Sequence, residues 1–116
     1  MPHIEAMDAV FYQVCNMDRA VAFYRDVLGL ELARREGNDW TEFRVGDGTL
    51  ALSGELAVAP QKGGATVVLR TADIEALERR LAEHSVTRGR VQPMGGARML
   101  ELYDPDGNEI VVLQPE

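Results

Sequence analysis

Hydrophobic and polar positions in the first half of the chain predict one strand, one helix and three more strands. Residues 9–14 are rich in β-branched and aromatic side chains, which favours a strand. Apolar residues then recur at helical spacing from Met17 to Leu28, where Asn16 is placed to cap the helix and Gly29 to end it. Turn residues separate the strands predicted at residues 30–35, 40–45 and 49–53.

The same order of elements recurs in the second half of the chain. Residues 65–71 predict a strand, Asp73 a helix cap, and residues 86–91, 98–103 and 109–113 three more strands. The two predicted caps lie 57 positions apart, and Gly48 and Gly107, both in turns, lie 59 apart, close to half of the 116 residues. This spacing predicts an internal repeat of one βαβββ module, too small to cover its own sheet. The fold class is therefore α+β.

The stretch between the two predicted modules has no periodicity and contains Pro60, Gly63 and Gly64. It predicts a linker at about residues 55–64, between module one at about 7–54 and module two at about 65–116. We expect both modules to pack into a single domain over residues 1–116. The alternative is two unrelated α/β halves whose element order coincides.

The composition is that of a folded protein, with 46% hydrophobic and 27% charged residues. A net charge of −7, from 19 acidic and 12 basic residues, opposes binding to nucleic acid or to an anionic membrane. No apolar run approaches the ~20 residues of a membrane-spanning helix. The lone Cys15 and the absence of a secretory signal in the first residues predict a cytoplasmic protein.

Two segments carry a resemblance to a known family. Residues 14–30, VCNMDRAVAFYRDVLGL, and residues 104–113, DPDGNEIVVL, resemble the vicinal oxygen chelate superfamily. That superfamily includes glyoxalase I, bleomycin-resistance proteins, fosfomycin-resistance enzymes and extradiol dioxygenases. The resemblance implies two βαβββ modules whose curved sheets surround a central cavity, usually in a homodimer. It does not select a function, because the superfamily hosts isomerisation, ring cleavage, thiol transfer and sequestration.

The resemblance also implies four metal-ligand positions, which hold His, Gln or Glu in the metal-using members. In this chain those positions correspond to Ala9, Ala51, Thr66 and Val111. Alkyl side chains have no lone pair to offer, and a hydroxyl is a poor ligand for a catalytic transition metal. We therefore expect neither a metal nor a cofactor. A one-residue register slip would bring Glu101 or Glu109 nearer to a ligand position, but it would also reverse the faces of the strand.

Strand alternation predicts which side chains face the cavity rather than the helix. The candidate ligand contacts are Phe11, Gln13, Trp40, Glu42, Arg44, Ser53, Thr66, Val68, Arg70, Met94, Glu101, Tyr103 and Val111. Apolar walls with a few charged groups are typical of a small-molecule pocket. Trp40, the only tryptophan, is the best anchor for a planar ligand, although core packing would also explain it. Residues 92–97, which include Met94, are interpreted as a lid or as a hairpin connection.

The leading hypothesis is a metal-independent homodimer that binds a small molecule, as in sequestration or resistance. The alternative is a glyoxalase-like lyase or isomerase, or another enzyme of the superfamily, acting on a small metabolite at a metal-free or atypical site. Glu101 or Glu109 would then be the catalytic base, beside Arg70. A third hypothesis is a structural or regulatory module with a vestigial pocket. The sequence leaves open whether the protein catalyses a reaction.

Overall fold

The structure, a computed structural model, describes residue 3, residues 7–54 and residues 66–116. It divides into two compact units, Met1–Ala59 and Pro60–Glu116. The linker predicted at residues 55–64 lies outside the described residues. Within the described part of the chain, no helix is long and apolar enough to cross a membrane.

The first unit is a four-stranded sheet with one helix. Its elements in chain order are β1 (Val10–Gln13), α1 (Met17–Ala22), a π-helical turn (Phe23–Val27), β2 (Glu31–Glu36), β3 (Trp40–Val45) and β4 (Gly48–Ser53). The strand order across the sheet is β1-β4-β3-β2. Strand β1 runs parallel to β4, whereas the other neighbours are antiparallel.

The second unit repeats this arrangement. Its elements are β5 (Val67–Arg70), α2 (Ile74–Glu83), β6 (Gln92–Met94), β7 (Ala97–Tyr103) and β8 (Glu109–Pro115). The strand order is β5-β8-β7-β6, and again only the first pair is parallel. Two four-stranded sheets with few helices confirm the predicted α+β class.

Both helices begin at the predicted caps. The side chain of Asn16 accepts a hydrogen bond from the backbone N–H of Arg19 at 3.0 Å, and that of Asp73 accepts one from Ala76 at 3.0 Å. Such bonds satisfy N–H groups that have no partner within the helix. The π-helical turn that continues the first helix ends at Val27, two residues before Gly29, whose φ of 77° is open to glycine at little cost.

The core of the first unit lies between α1 and one face of its sheet. Tyr12, Phe43 and Leu52 are buried there, as the alternation predicts. The polar Thr41 is fully buried on the same face, where its hydroxyl donates a hydrogen bond to Sδ of Met17 at 3.2 Å. Val45 lies on the same side of β3 as Phe43 but is only half-buried. It is the last residue of β3, two positions beyond the buried Phe43.

A side chain from the last strand holds the start of α2 against the second sheet. Oε1 of Gln114 accepts a hydrogen bond from the backbone N–H of Ile74 at 2.7 Å. Arg98 forms an ion pair with Glu75, and this hydrogen-bonded guanidinium lowers the pKa of the Glu75 carboxyl. The helix is thereby fixed to one face of the sheet. It is the one helix that the structure describes in this unit, and the opposite face of the sheet does not contact it.

The strand expected at residues 86–91 is a wrong prediction. Within that segment only Arg88 forms a bridge, to Leu102. The missing strand is β6, inside the segment that was interpreted as a lid or a hairpin connection. Gly95 and Gly96 have φ angles of 46° and 77°, which a two-residue hairpin turn requires, so Met94 pairs directly with Ala97. Residues 92–97 are therefore an edge strand and a tight turn, not a lid.

The turn between β7 and β8 is built around a buried carboxylate. Oδ1 of Asp104 accepts hydrogen bonds from the backbone N–H groups of Asp106 at 2.9 Å and Asn108 at 2.8 Å. Oδ2 accepts a third bond from Nδ2 of Asn108 at 2.9 Å. Gly107, with a φ of 85°, completes the turn and sets the pairing of Tyr103 with Glu109.

We expect Asp104→Ala to lower the free energy of unfolding by about 2 to 3 kcal/mol, because it leaves buried donors without an acceptor. Urea denaturation measures this as a lower midpoint at an unchanged slope. The matched control is Asp47→Ala in the exposed turn between β3 and β4, which should change stability by less than about 0.5 kcal/mol. Equal losses in the two variants would contradict the role given to Asp104.

Candidate functional site

Each sheet has one face against its helix and an opposite face, which we call the open face. The alternation of side chains places all predicted ligand contacts on the open faces. On the first sheet these are Phe11, Gln13, Trp40, Glu42, Arg44 and Ser53. On the second sheet they are Thr66, Val68, Arg70, Met94, Glu101, Tyr103 and Val111.

An aromatic pair dominates the open face of the first sheet. The ring centroids of Phe11 and Trp40 lie 5.5 Å apart with the ring planes tilted by 59°. These residues belong to β1 and β3, and β4 lies between them. The side chains of β4 in the matching rows are the small and buried Ala51 and Ser53, so there is room for the rings to approach over them. Phe11 nevertheless remains 46% exposed.

Trp40 is also joined to a fixed carboxylate. Its indole Nε1 donates a hydrogen bond to Oε2 of Glu42 at 2.7 Å, and Nη2 of Arg34 donates to the same oxygen at 2.8 Å. The Trp40 hydrogen bond first, and then the Arg34 guanidinium, lower the pKa of Glu42 below the usual glutamate range. Arg34 in turn bonds Glu36 at 2.8 Å, so it lies between two carboxylates.

The second open face carries a hydroxyl between two carboxylates. The hydroxyl of Tyr103 lies 3.4 Å from Oε2 of Glu101 and 3.3 Å from Oε2 of Glu109. Thr66 donates a hydrogen bond to Oε1 of Glu109 at 3.0 Å. Loss of hydration at the phenol, together with the two negative charges, raises the pKa of Tyr103. The phenol therefore stays protonated and acts as a donor.

Arg70 lies in a different row of the second sheet from both carboxylates. In the strand register Arg70 lies opposite Leu113, whereas Glu109 lies opposite Tyr103 at the other end of β8. Glu101 shares its row with Val68 through Val111. Neither glutamate shares a row with Arg70, so the register does not place this arginine directly opposite either candidate base.

Arg34 is the functional-site residue that sequence reasoning missed. It lies on the open face because its register partner is Glu42. A shift in register between Leu32 and Arg34 interrupts the regular alternation of β2. The available signal in the sequence was the spacing of Arg34 and Glu36, two positions apart on the same face of a strand. Their partners on β3 could be assigned only once the position of the bulge was known.

The four positions that the resemblance links to a metal do not fit one. Ala9, Ala51 and Val111 have alkyl side chains, and the Thr66 hydroxyl is already bonded to Glu109. Among residues 3, 7–54 and 66–116, no group of three or more His, Cys, Asp or Glu side chains is placed to hold a metal ion. This donor set does not fit the metal chemistry that the resemblance implies.

A family model fixes the class of protein that this fold and site define. The model of the Glyoxalase/Bleomycin resistance protein/Dioxygenase superfamily matches residues 3–112. The chain therefore belongs to this superfamily, as the two sequence motifs predicted. A search of the curated proteins finds no match.

Solved structures share the fold over the whole chain. An antibiotic binding protein, TnmS3, from Streptomyces sp. CB03234 is 25% identical with a TM-score of 0.82, and the match covers 100% of both chains. A lactoylglutathione lyase from Agrobacterium tumefaciens is 21% identical with a TM-score of 0.77, covering 96% of this chain and 94% of that one. A bleomycin resistance determinant encoded on the transposon Tn5 is 21% identical with a TM-score of 0.77, covering 97% and 99%. These structures support the fold assignment.

We expect the fluorescence of Trp40, the only tryptophan, to report the protonation of Glu42. Because the pKa of Glu42 is lowered in the folded state, the ionised contact is fully present above the ordinary glutamate pKa. It is lost as the pH falls through the lower, folded value. An acid titration of the emission should therefore have its midpoint below the usual glutamate range.

Glu42→Gln is the control and should abolish this transition, while Arg34→Met should move its midpoint upwards because one of the two donors is gone. A wild-type midpoint within or above the ordinary glutamate range would contradict the assignment.

Proposed function

We propose that this protein binds a small planar organic molecule on the open face of its first sheet, without a metal or a cofactor, and acts by sequestration. The observation that carries the proposal is the Phe11 and Trp40 pair, which leaves Phe11 46% exposed. Covering such rings with a planar ligand is favourable through apolar burial and stacking. The fixed Glu42 beside them supplies a polar anchor, as small-molecule sites require.

The similar structures support binding as an activity of this fold. One is described as an antibiotic binding protein and another as a bleomycin resistance determinant, and both match nearly the entire chain. Metal independence is supported by the residue types at the four ligand positions, two alanines, a threonine and a valine. A protein that sequesters its ligand needs no reacting group, so this donor set is compatible with the proposal.

The proposal includes a cytoplasmic homodimer. Its support is the family resemblance, the small size of each module and the single cysteine, which cannot form an intramolecular disulfide. Light scattering on the full chain distinguishes one chain per particle from two. A protein that stays monomeric at high concentration would contradict the homodimer, but this result would not affect the binding proposal.

The binding proposal is tested by calorimetric titration with three planar tricyclic compounds, proflavine, N-methylacridinium and anthracene carboxylate. We expect at least one to bind, and Trp40→Leu and Phe11→Ala each to weaken that binding by about tenfold or more, because stacking area is lost. Leu32→Ala is the matched control, an apolar residue 37% exposed on the other face of the same sheet. A chelator should have no effect.

Failure of all three compounds to bind, or binding that needs an added divalent metal, would overturn the proposal. Equal weakening by the Leu32→Ala control would also count against it, because a general loss of stability would then explain the effect.

A second candidate function, a metal-free lyase or isomerase, is supported by the Tyr103 hydroxyl between Glu101 and Glu109. One carboxylate would take a proton from a carbon next to a carbonyl group. The neutral phenol would donate a hydrogen bond to the carbonyl oxygen as it gains negative charge. In an α-hydroxy carbonyl compound, the carboxylic acid, whose proton exchanges with solvent, returns a proton to the former carbonyl carbon, and the α-hydroxyl proton moves to the former carbonyl oxygen. These transfers complete an isomerisation and leave the carboxylate and the phenol as they began.

The enzyme hypothesis predicts exchange of solvent deuterium into the α-carbon of small α-hydroxy carbonyl compounds, measured by NMR. Glu101→Gln or Glu109→Gln should lower the rate by about a hundredfold or more, since the base is lost. Glu83→Gln, an exposed residue at the end of α2, is the matched control and should leave the rate unchanged. No exchange by the wild-type protein, or equal exchange in all variants, would remove this function.

A further inference from the structure

Resting on the proposed function, we infer that the ligand is a planar aromatic cation with N–H donors on its edge, and that Glu42 selects it by a direct hydrogen bond.

The Glu42 carboxylate is held through one of its two oxygens. Both hydrogen bonds that hold it end on Oε2, from Trp40 at 2.7 Å and from Arg34 at 2.8 Å. Within the part of the chain that the structure describes, no hydrogen bond or ion pair uses the other oxygen, Oε1. Since Glu42 lies on the open face in the same row as Phe11, this fixed carboxylate has one oxygen left to accept a bond from a ligand beside the aromatic pair.

The negative charge of the Glu42 carboxylate favours a charged donor. The Trp40 and Arg34 donors lower the pKa of Glu42, so the carboxylate is ionised at neutral pH. An ionised acceptor forms its strongest hydrogen bonds with charged donors, roughly twice as strong as neutral ones. The indole N–H of Trp40 is already used, so the ring offers a ligand its π face, which attracts cations. Both groups favour a planar cation over a planar anion.

Two arginines, Arg34 and Arg44, also lie on this open face. Arg34 is bonded to both Glu36 and Glu42, so its single positive charge faces two negative ones. Arg44 is the competing feature, because an exposed arginine on the same open face would attract an anion. Along β3, however, Glu42 lies between Trp40 and Arg44. A donor on the edge of a ring stacked against Trp40 therefore meets Glu42 first.

The three compounds of the binding test separate the possibilities when titrated at neutral pH and low salt. Proflavine is a planar cation with N–H donors, N-methylacridinium is a planar cation without them, and anthracene carboxylate is a planar anion. We expect proflavine to bind most tightly. Glu42→Gln should weaken the binding of proflavine by about tenfold or more and that of N-methylacridinium by less. The binding of anthracene carboxylate should not weaken.

Glu83→Gln is the matched control, because it removes the same charge from the exposed end of α2 in the other unit. Arg44→Gln should strengthen proflavine binding, because it removes a like charge from the same open face. Glutamine at position 42 keeps a carbonyl acceptor for the Trp40 N–H, so the aromatic pair retains its neighbour.

Two results would overturn the inference while leaving the proposed function intact. One is tighter binding of anthracene carboxylate that is lost in Arg44→Gln, which would assign the site to planar anions. The other is equal weakening of all three compounds by Glu42→Gln, which would make Glu42 a positioning residue for Trp40. If no compound binds the wild-type protein, the inference falls together with the proposed function.

Discussion

One helix can cover only one face of a four-stranded sheet, and the organisation of each unit follows from this constraint. The covered face collects the apolar core, including the fully buried Phe43 and Leu102. The other face then displays whatever the alternate positions of the same strands carry. Candidate chemistry is therefore confined to the open faces, and the helix side supplies the rigidity that holds side chains such as Trp40 and Glu42 in place.

The two units use the same framework for different chemistry. In the first sheet one row contains Phe11, Ala51 and Glu42, and the equivalent row of the second contains Val68, Val111 and Glu101. Both rows thus carry a glutamate on the third strand of the sheet. The first glutamate is bonded to Trp40 and Arg34, whereas the second lies near the Tyr103 hydroxyl. Different side chains on two similar sheets explain how one chain supports both a binding and a proton-transfer hypothesis.

Much of the fold could be predicted from sequence because its signals are local. Caps such as Asn16, the alternation of faces and the turn at Gly107 each depend on residues close in the chain. The errors arose where long-range pairing decides the outcome. Strand β6 forms at Gln92–Met94 because it pairs with β7, against its weak β-propensity. The Arg34 contact with Glu42 likewise depends on a bulge that alternation does not reveal.

The edges of the two sheets also bear on how the protein avoids aggregation. Strand β6 is three residues long and has Pro93 at its centre, which lacks the N–H that an added strand would need. Strand β2 ends the other sheet with charged side chains and a shift in register. These two of the four edge strands resist strand addition by a second chain. A partner that approaches β2 or β6 is therefore expected to meet side chains, where amino-acid identity determines recognition, rather than a bare backbone edge.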